Sequence, residues 1–232
     1  MNAQRLSDRL TRVASYVQLG SIVADIGSDH AYLPCYLIHH QIAKKAVAGE
    51  VAKGPYESAQ RQVLEEQLDD KIEVRLANGL SAIAQDDLVD TVTIAGMGGP
   101  LITTILDQGF EKLKTVNRLI LQPNIHAKAI REWAMTNGWN LIAEEILLEE
   151  DKIYEILVLE RGEMKLSEAQ TLLGPFLMEA RNEAFYLKWS KESAEWNRIL
   201  GAIRIAQSSR EVQMKKEEIE EKLKIVKEAI SK

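Results

Sequence analysis

Cysteine is almost missing from this chain, whose 232 residues include one, Cys35. A single cysteine excludes an internal disulfide and a cysteine-rich zinc site. The four histidines, His30, His39, His40 and His126, lack the spacing of a metal-binding motif such as HExxH. These shortages predict a protein that needs no metal ion.

Long apolar runs are missing as well, because no uninterrupted stretch approaches the ~20 residues of a membrane-spanning helix. The N-terminal segment MNAQRLSDRLTRV contains arginine and aspartate but no apolar block followed by small residues, which is unlike a signal peptide. We therefore expect a soluble cytoplasmic protein without a membrane partner. A monomer is expected as well, although no sequence pattern determines the oligomeric state.

Excess positive charge is absent too, since 29 basic residues stand against 35 acidic ones and the net charge is −6. That sign disfavours indiscriminate binding to nucleic acid, so a polyanionic partner would need local basic patches. The first predicted helix offers one, because Arg5, Arg9 and Arg12 are spaced by four and three residues and would share one face. A solvated helix face is the alternative interpretation.

From about residue 20 to 160, short apolar runs alternate with amphipathic stretches. The predicted strands cover residues 21–27, 45–51, 71–79, 91–99 and 118–124, and the predicted helices cover 34–43, 56–68, 101–114 and 126–138. This alternation is typical of a parallel sheet with helices on both faces.

The alternation stops at residues 140–162, where two strand-like runs follow each other with only the polar segment EEDK between them. Such a pair predicts a hairpin, so the last strand should run antiparallel to the others. An open α/β sheet with an antiparallel last strand is the architecture of class I methyltransferases, whereas the dinucleotide-binding Rossmann sheet stays parallel.

The sequence becomes helical after Gly162. Trp189, Trp196 and Ile203 recur every seven residues, as do Val212, Ile219 and Val226. We predict an antiparallel helical hairpin, coiled-coil-like, with a turn in the segment QSSRE at 207–211. A shorter helix containing Phe176 and Leu177 should precede it. The chain then divides into a sheet domain (1–162, with the N-terminal helix) and a helical domain (163–232).

The loop after the first strand, DIGSDHAYLP, has one glycine of the three in a GxGxxG dinucleotide fingerprint. Its acidic pair, Asp25 and Asp29, would repel a pyrophosphate but suits a cation. S-Adenosylmethionine carries an ammonium and a sulfonium and no phosphate, so this loop favours it over NAD. Alternatively, Asp29 caps the following helix.

Polar or glycine-rich groups follow the other strands as well. Glu50 lies 25 residues after Asp25, close to the spacing at which an acidic side chain binds ribose hydroxyls. The remaining strand ends carry Asn78-Gly79, the segment IAGMGGP (residues 94–100) and Gln122-Pro123-Asn124. Each loop alone could be an ordinary turn, but together they predict a nucleoside site.

The segments DIGSDHAYLP, AGEV, ANG, IAGMGGPLI and LQPN, with the N-terminal RLSDRLTRV, resemble the TrmK family of bacterial tRNA adenine N1-methyltransferases, which modify adenine 22. The resemblance covers essentially the whole chain, and it is specific in the loops after the first and fourth strands and loose in the C-terminal third. It implies a class I methyltransferase fold, S-adenosylmethionine as cofactor and tRNA as substrate. Composition and spacing alone indicate the fold and the cofactor but not the RNA substrate.

The resemblance also implies the roles of individual residues. The implied cofactor-binding set is Asp25, Gly27, Ser28, Asp29, His30, Glu50, Val51, Asn78, Gly79, Ala95, Gly96 and Met97. We predict that Asp29 and Met97 act at the transfer step. The predicted substrate-binding set is Arg5, Arg9, Arg12, Tyr32, Gly98, Pro123 and Asn124, with the helical hairpin as a second RNA surface.

Three other functions compete with this one. The acceptor could be another RNA position or a protein, which the acidic net charge favours. The chain could be an inactive cofactor-binding module whose hairpin recruits a partner, although a scaffold needs no polar strand ends. A nicotinamide dehydrogenase is disfavoured, because the first loop lacks the required glycines.

Overall fold

The structure, a computed structural model, describes residues 2–203 and 209–230, and within these residues the strands form one seven-stranded sheet. In chain order the strands are β1 (Ser21–Ile26), β2 (Ala43–Glu50), β3 (Ile72–Leu76), β4 (Thr91–Gly98), β5 (Arg118–Ile125), β6 (Trp139–Glu149) and β7 (Lys152–Arg161). Their order across the sheet is β3-β2-β1-β4-β5-β7-β6.

The last strand, β7, lies between β5 and β6 and is antiparallel to both, whereas the pairs among β1 to β5 are parallel. The predicted terminal hairpin is thereby confirmed. The fold is an open, Rossmann-like α/β sheet with an antiparallel last strand, as expected from the sequence.

Helices cover both faces of the sheet. They are α1 (Asp8–Ser15), α2 (Tyr32–His39), α3 (Lys53–Glu65), α4 (Gly99–Gln108), α5 (Ala127–Thr136), α6 (Glu168–Leu173), α7 (Pro175–Ala180), α8 (Glu183–Ile203) and α9 (Arg210–Ile230). Successive residues of β5 face opposite layers, because Leu119 and Leu121 pack in the cluster with Ile130 of α5, while Ile120 packs in the cluster with Leu37 of α2. Each such buried side chain stabilises the fold by roughly 1.5–3 kcal/mol.

Two predicted helices differ from the structure in an informative way. The helix expected at 101–114 ends at Gln108, and a 3₁₀ segment (Phe110–Thr115) follows. Gly109 lies between them. Only glycine fits at this position, because a β-carbon there would collide with the side chain of Leu80. The remaining predicted elements of the sheet domain are present with bounds shifted by a few residues.

The first helix starts later than its charge pattern implied. The hydroxyl of Ser7 accepts a hydrogen bond from the Leu10 backbone N–H at 3.3 Å and caps α1, which therefore begins at Asp8. Arg5 lies before the helix. The prediction that Arg5, Arg9 and Arg12 share one helical face is therefore wrong for Arg5.

Part of the predicted heptad set packs together in the C-terminal helices, and a coiled coil stays a prediction. Trp189 of α8 is buried in one cluster with Val226 and Ala229 of α9, and the Lys222 ammonium lies 5.9 Å from the Trp196 ring centroid. The short helix predicted around Phe176 is α7. The predicted turn at 207–211 begins outside the described residues. The division of the chain between residues 162 and 163 stays a prediction.

A buried ionic cluster joins the sheet to these helices. Arg131 of α5 is fully buried, and its Nη2 lies 2.6 Å from Glu144 Oε1 and 2.7 Å from Glu155 Oε2. Lys188 of α8 pairs with the other oxygen of Glu155. Arg131 Nη1 also donates to the carbonyl of Thr171 at 3.3 Å. Two basic side chains (Arg131, Lys188) and two acidic ones (Glu144, Glu155) thus hold α5, β6, β7 and α8 together.

Candidate active site

The predicted site loops meet at the carboxyl end of the parallel strands. There β1 and β4 are neighbours, while the helices that follow them, α2 and α4, pack on opposite faces of the sheet. Strand order therefore reverses between β1 and β4, which is where open α/β sheets bind ligands.

Asp25 of β1 is a buried carboxylate that organises the first loop. Its Oδ1 accepts a hydrogen bond from Thr93 Oγ1 of β4, and its Oδ2 accepts one from Ser28 Oγ, both at 2.6 Å. Burial raises the pKa of Asp25, and the two hydrogen bonds oppose that rise. Asp25 therefore shapes the loop, and its own contact with a cofactor stays a prediction.

Gly27 lets the first and fourth loops touch. Its φ is +72°, and the terminal methyl group of Met97 lies in the space that a β-carbon would need. Its backbone N–H donates to the carbonyl of Gly49 at 2.9 Å. The loop after β1 and the ends of β2 and β4 thus converge on Gly27, where there is no room for a side chain.

Glu50 ends β2 with its carboxylate turned inward. The residue is 5% exposed, and its Oε1 accepts a hydrogen bond from the backbone N–H of Asp29. Burial raises the pKa of Glu50, the hydrogen bond from Asp29 lowers it, and the charges of Asp25 and Asp29 raise it further. Such a fixed acceptor beside an open loop suits a diol of a bound ribose.

Apolar and amide groups flank Glu50. Val51, the next residue, is 69% exposed, and Asn78 after β3 is exposed as well. The Ala77 backbone N–H donates to the Glu50 carbonyl at 2.7 Å, which brings the two strand ends together. Gly79 has a φ of +54°. An exposed apolar side chain and an amide beside a carboxylate fit an adenosine moiety.

Asp29 and His30 form the exposed rim of the first loop. Asp29 has a φ of +57° and a side chain that is 72% exposed, and its Oδ1 lies 3.7 Å from His30 Nε2. The His30 ring stacks on Tyr32 with 5.2 Å between centroids. The N-cap residue of α2 is Ala31, without a side-chain hydrogen bond, so Asp29 does not cap that helix.

The fourth loop is built around a β-bulge. The register of β4 against β5 shifts between Ala95, which pairs with Gln122, and Met97, which pairs with Pro123. Gly96, between them, has a φ of +81°. Asn124 Nδ2 donates to the Gly96 carbonyl at 2.7 Å. Bulges re-aim side chains next to active sites, and this one directs Met97 onto the first loop.

Beside Met97 lies a wall formed by three of the predicted substrate residues, Gly98, Pro123 and Asn124. Pro123 is buried, Asn124 is exposed, and a β-carbon on Gly98 would lie 3.8 Å from Ile125 Cγ1. Sequence reasoning placed Gln122 at the same strand edge as Pro123 and Asn124 but assigned it no role, and it did not single out Thr93 or Tyr154. For Thr93 and Gln122 the available signal was a polar residue inside an apolar strand.

A surface groove of about 640 Å³, the hairpin cleft, opens beside this wall. Its lining includes Pro123 and Asn124 together with Trp189 and Trp196 of α8. Its charged lining consists of Lys128, Lys152, Lys188, Lys191, Lys222, Asp151, Glu155 and Glu192. Positive groups outnumber negative ones, so the cleft is a basic patch in an acidic protein.

Of the other predicted arginines, Arg5 and Arg12 are exposed, and Arg12 Nε lies 3.3 Å from Glu145 Oε1. Among the described residues no group of three or more His, Cys, Asp or Glu side chains could hold a metal ion. The described helices include none that is long and apolar enough to cross a membrane.

Known proteins resemble this chain over nearly its whole length. It is 44% identical over 236 residues to the tRNA (adenine(22)-N(1))-methyltransferase of Bacillus subtilis (strain 168), with 99% of each chain covered. The crystal structure of B. subtilis TrmK, the m1A22 tRNA methyltransferase, superposes with a TM-score of 0.93 at 43% identity and covers 98% of this chain and 99% of its own.

The structure of a Streptococcus pneumoniae protein described as a putative tRNA (m1A22) methyltransferase, in complex with S-adenosyl-L-methionine, gives a TM-score of 0.88. Its identity is 44%, with 97% of this chain and 99% of that chain covered. The family model described as tRNA (adenine(22)-N(1))-methyltransferase matches residues 23–228. The chain therefore belongs to the TrmK family.

Proposed function

We propose that this protein transfers a methyl group from S-adenosylmethionine to N1 of adenine 22 in bacterial tRNA. The observation that carries the proposal is the meeting of Gly27, Glu50 and Met97 at the strand-order reversal of a TrmK-family chain. A tRNA substrate also implies a cytoplasmic location.

The residues at this edge fit the proposed cofactor. Glu50 accepts hydrogen bonds from the ribose hydroxyls, while Val51, Asn78 and Gly79 flank the adenine. The loop under the methionine portion consists of Gly27, Ser28, Asp29 and His30. Asp25 stabilises this loop through its hydrogen bond with Ser28. When bound there, S-adenosylmethionine supplies an electrophilic methyl group.

The acceptor side needs no proton-removing side chain. Adenine N1 already carries a lone pair, so no base has to deprotonate it, and the base becomes cationic on methylation. Ala95, Gly96, Met97 and Gly98 line the transfer point, and Asp29 contributes a negative field that favours the developing positive charge. Otherwise the protein acts by holding the reactants in line.

The RNA contacts are proposed from charge and exposure. Arg5 and Arg12 contact phosphates on one side of the site. Lys128, Lys152, Lys191 and Lys222 of the hairpin cleft do so on the other, whereas Lys188 is paired with Glu155. Because N1 is reached after the adenine leaves its stack, the extruded base needs a platform, and Tyr32 beside the first loop supplies it. Pro123 and Asn124 lie where the cleft meets the transfer point.

The test is incubation with labelled S-adenosylmethionine and unmodified bacterial tRNA, followed by nucleoside analysis. The expected product is N1-methyladenosine, lost when adenine 22 is replaced by guanine. A product that survives this replacement would assign another RNA position. Cofactor binding without transfer to any tRNA would overturn the RNA assignment and direct the search to a protein acceptor.

A further inference from the structure

The bulge residue Gly96 is held by side chains where the strand ladder cannot hold it. Its backbone N–H donates to Gln122 Oε1 at 3.0 Å, and its carbonyl accepts from Asn124 Nδ2 at 2.7 Å. Gln122 Nε2 in turn donates to Asn124 Oδ1 at 3.3 Å. These three hydrogen bonds form a closed ring that fixes both polar backbone groups of Gly96.

Arg9 of α1 completes this ring from outside the sheet. Arg9 Nη1 donates to the same Gln122 Oε1 that accepts from Gly96. A β-carbon on Gly96 would lie 3.9 Å from Arg9 Nη1, so the guanidinium borders the bulge itself. With both lone pairs of Oε1 occupied, the amide of fully buried Gln122 cannot flip without facing two donors with its own NH₂ group.

The guanidinium of Arg9 is itself fixed. It lies 5.2 Å from the centroid of the Tyr154 ring, and the Arg9 backbone N–H donates to Glu149 Oε1 at 3.1 Å. The capped start of α1 and its contacts with β6 and β7 therefore set where this side chain reaches. Arg9 is half-buried, whereas Arg5 and Arg12 are exposed.

We propose that Arg9 is a positioning residue for methyl transfer, acting through Gln122 on the Gly96 bulge that directs Met97 onto the first loop. This inference rests on the proposed function for its kinetic consequence. It replaces a phosphate contact as the role of Arg9, since the guanidinium is engaged inside the site. The N-terminal helix thereby becomes part of the methyl-transfer apparatus.

The kinetic test uses Arg9→Met, which keeps the apolar stem and removes the donor. We expect the single-turnover rate constant at saturating cofactor and tRNA to fall roughly 10- to 100-fold, the range for small misplacements of reactants. Dissociation constants for S-adenosylmethionine and tRNA should change less than about threefold. Arg61→Met, at an exposed position on α3, is the matched control and should change neither.

A double-mutant cycle tests whether Arg9 acts through Gln122. If it does, Arg9→Met combined with Gln122→Ala is as slow as Gln122→Ala alone, because the second change finds no interaction left to remove. Additive losses would overturn the route through Gln122. Weaker tRNA binding with an unchanged saturating rate would overturn the positioning role and return Arg9 to a phosphate contact.

Backbone amide exchange measures the bulge without any turnover. In Arg9→Met the Gly96 N–H should exchange faster than in the parent protein, whereas in Arg61→Met it should not. An unchanged Gly96 amide would overturn the proposal. If the parent protein methylates no tRNA, the proposed function fails, and this measurement still decides whether Arg9 sets the bulge.

Discussion

The methyl group of Met97 stands in the place that a β-carbon on Gly27 would occupy. Gly27 follows β1 and Met97 lies near the end of β4, so this contact joins the two strands at the strand-order reversal, where Asp25 and Thr93 form a buried hydrogen bond. The two loops can approach this closely because one side lacks a side chain and the other ends in a flexible thioether.

Gly27→Ala should therefore cost both stability and cofactor affinity. The left-handed backbone at φ +72° alone disfavours alanine by roughly 1–2 kcal/mol, and displacement of Met97 adds to this. Chemical denaturation and cofactor titration measure the two effects. Gly201→Ala, in open space on α8, is the control and should stabilise the helix by about 0.5–1 kcal/mol. An unaffected Gly27→Ala protein would contradict the close packing of the two loops.

Glu50→Gln should separate stability from binding. Because burial raises the pKa of Glu50, the folded state holds this proton more tightly than the unfolded chain, and ionisation costs stability as pH rises. The neutral amide avoids that cost, so the variant should melt higher than the parent at pH 7–8. The gain should vanish below about pH 4.3, where the carboxyl is protonated in both states.

The same substitution should weaken S-adenosylmethionine binding by roughly 10- to 100-fold, the range for losing hydrogen bonds to a charged acceptor. Isothermal titration of the cofactor checks this. Glu57→Gln, at an exposed position on α3, should alter neither property. Unchanged cofactor affinity in Glu50→Gln would remove Glu50 from the ribose site.

Asp29→Asn tests the proposed field at the transfer point. The side chain is 72% exposed, so water screens its charge, and we expect a turnover decrease of only about two- to fivefold. Steady-state kinetics with tRNA measure it, with Asp70→Asn at an exposed loop position as the control. If turnover and cofactor affinity both stay at parent values, Asp29 has no role in the reaction.

Charge reversal at Arg5 and Arg12 should weaken tRNA binding and leave cofactor affinity intact. Each lost phosphate contact should lower the slope of log affinity against log salt by about 0.7–0.9. Titrations at several salt concentrations give this slope, and Lys191→Glu in the hairpin cleft extends the test to the second surface. A salt slope equal to the parent value would mean that these side chains do not touch the RNA.

Arg131→Met should destabilise the protein by about 3–5 kcal/mol, because it leaves Glu144 and Glu155 buried without their shared partner. Denaturant unfolding measures the loss. Arg198→Met removes an exposed pair with Glu195 on α8 and should leave the transition midpoint unchanged. Equal midpoints for the two variants would show that the buried cluster does not hold the sheet and helices together.

Local pattern was sufficient to predict the sheet and most of the cofactor side. Strands such as β4 and β5 are covered on both faces, so each appears in the sequence as a continuous apolar run. Gly27, Glu50 and Gly96 stand at strand ends, where the parallel architecture itself brings distant segments together. Residues of that kind can be found without coordinates.

The rest depends on where side chains reach across the fold. Arg9 and Gln122 are 113 positions apart, and nothing in the spacing of either predicts their hydrogen bond. The spacing of Arg5, Arg9 and Arg12 predicted a helix that includes Arg5, whereas the Ser7 cap starts α1 at Asp8. The hairpin cleft arises only when α8 packs beside β7, so its lysines carry no sequence signature.

The position of β7 also governs the order in which the protein can be completed during synthesis. Strand β5 pairs with β7, which is made after β6, so its outer edge has no partner until residue 161 has left the ribosome. At 5–20 residues per second, the 36 residues after Ile125 take roughly 2–7 s. Throughout that interval the outer edge of β5 has unpaired backbone N–H and C=O groups, and the part of the hairpin cleft that β7 and α8 supply does not yet exist.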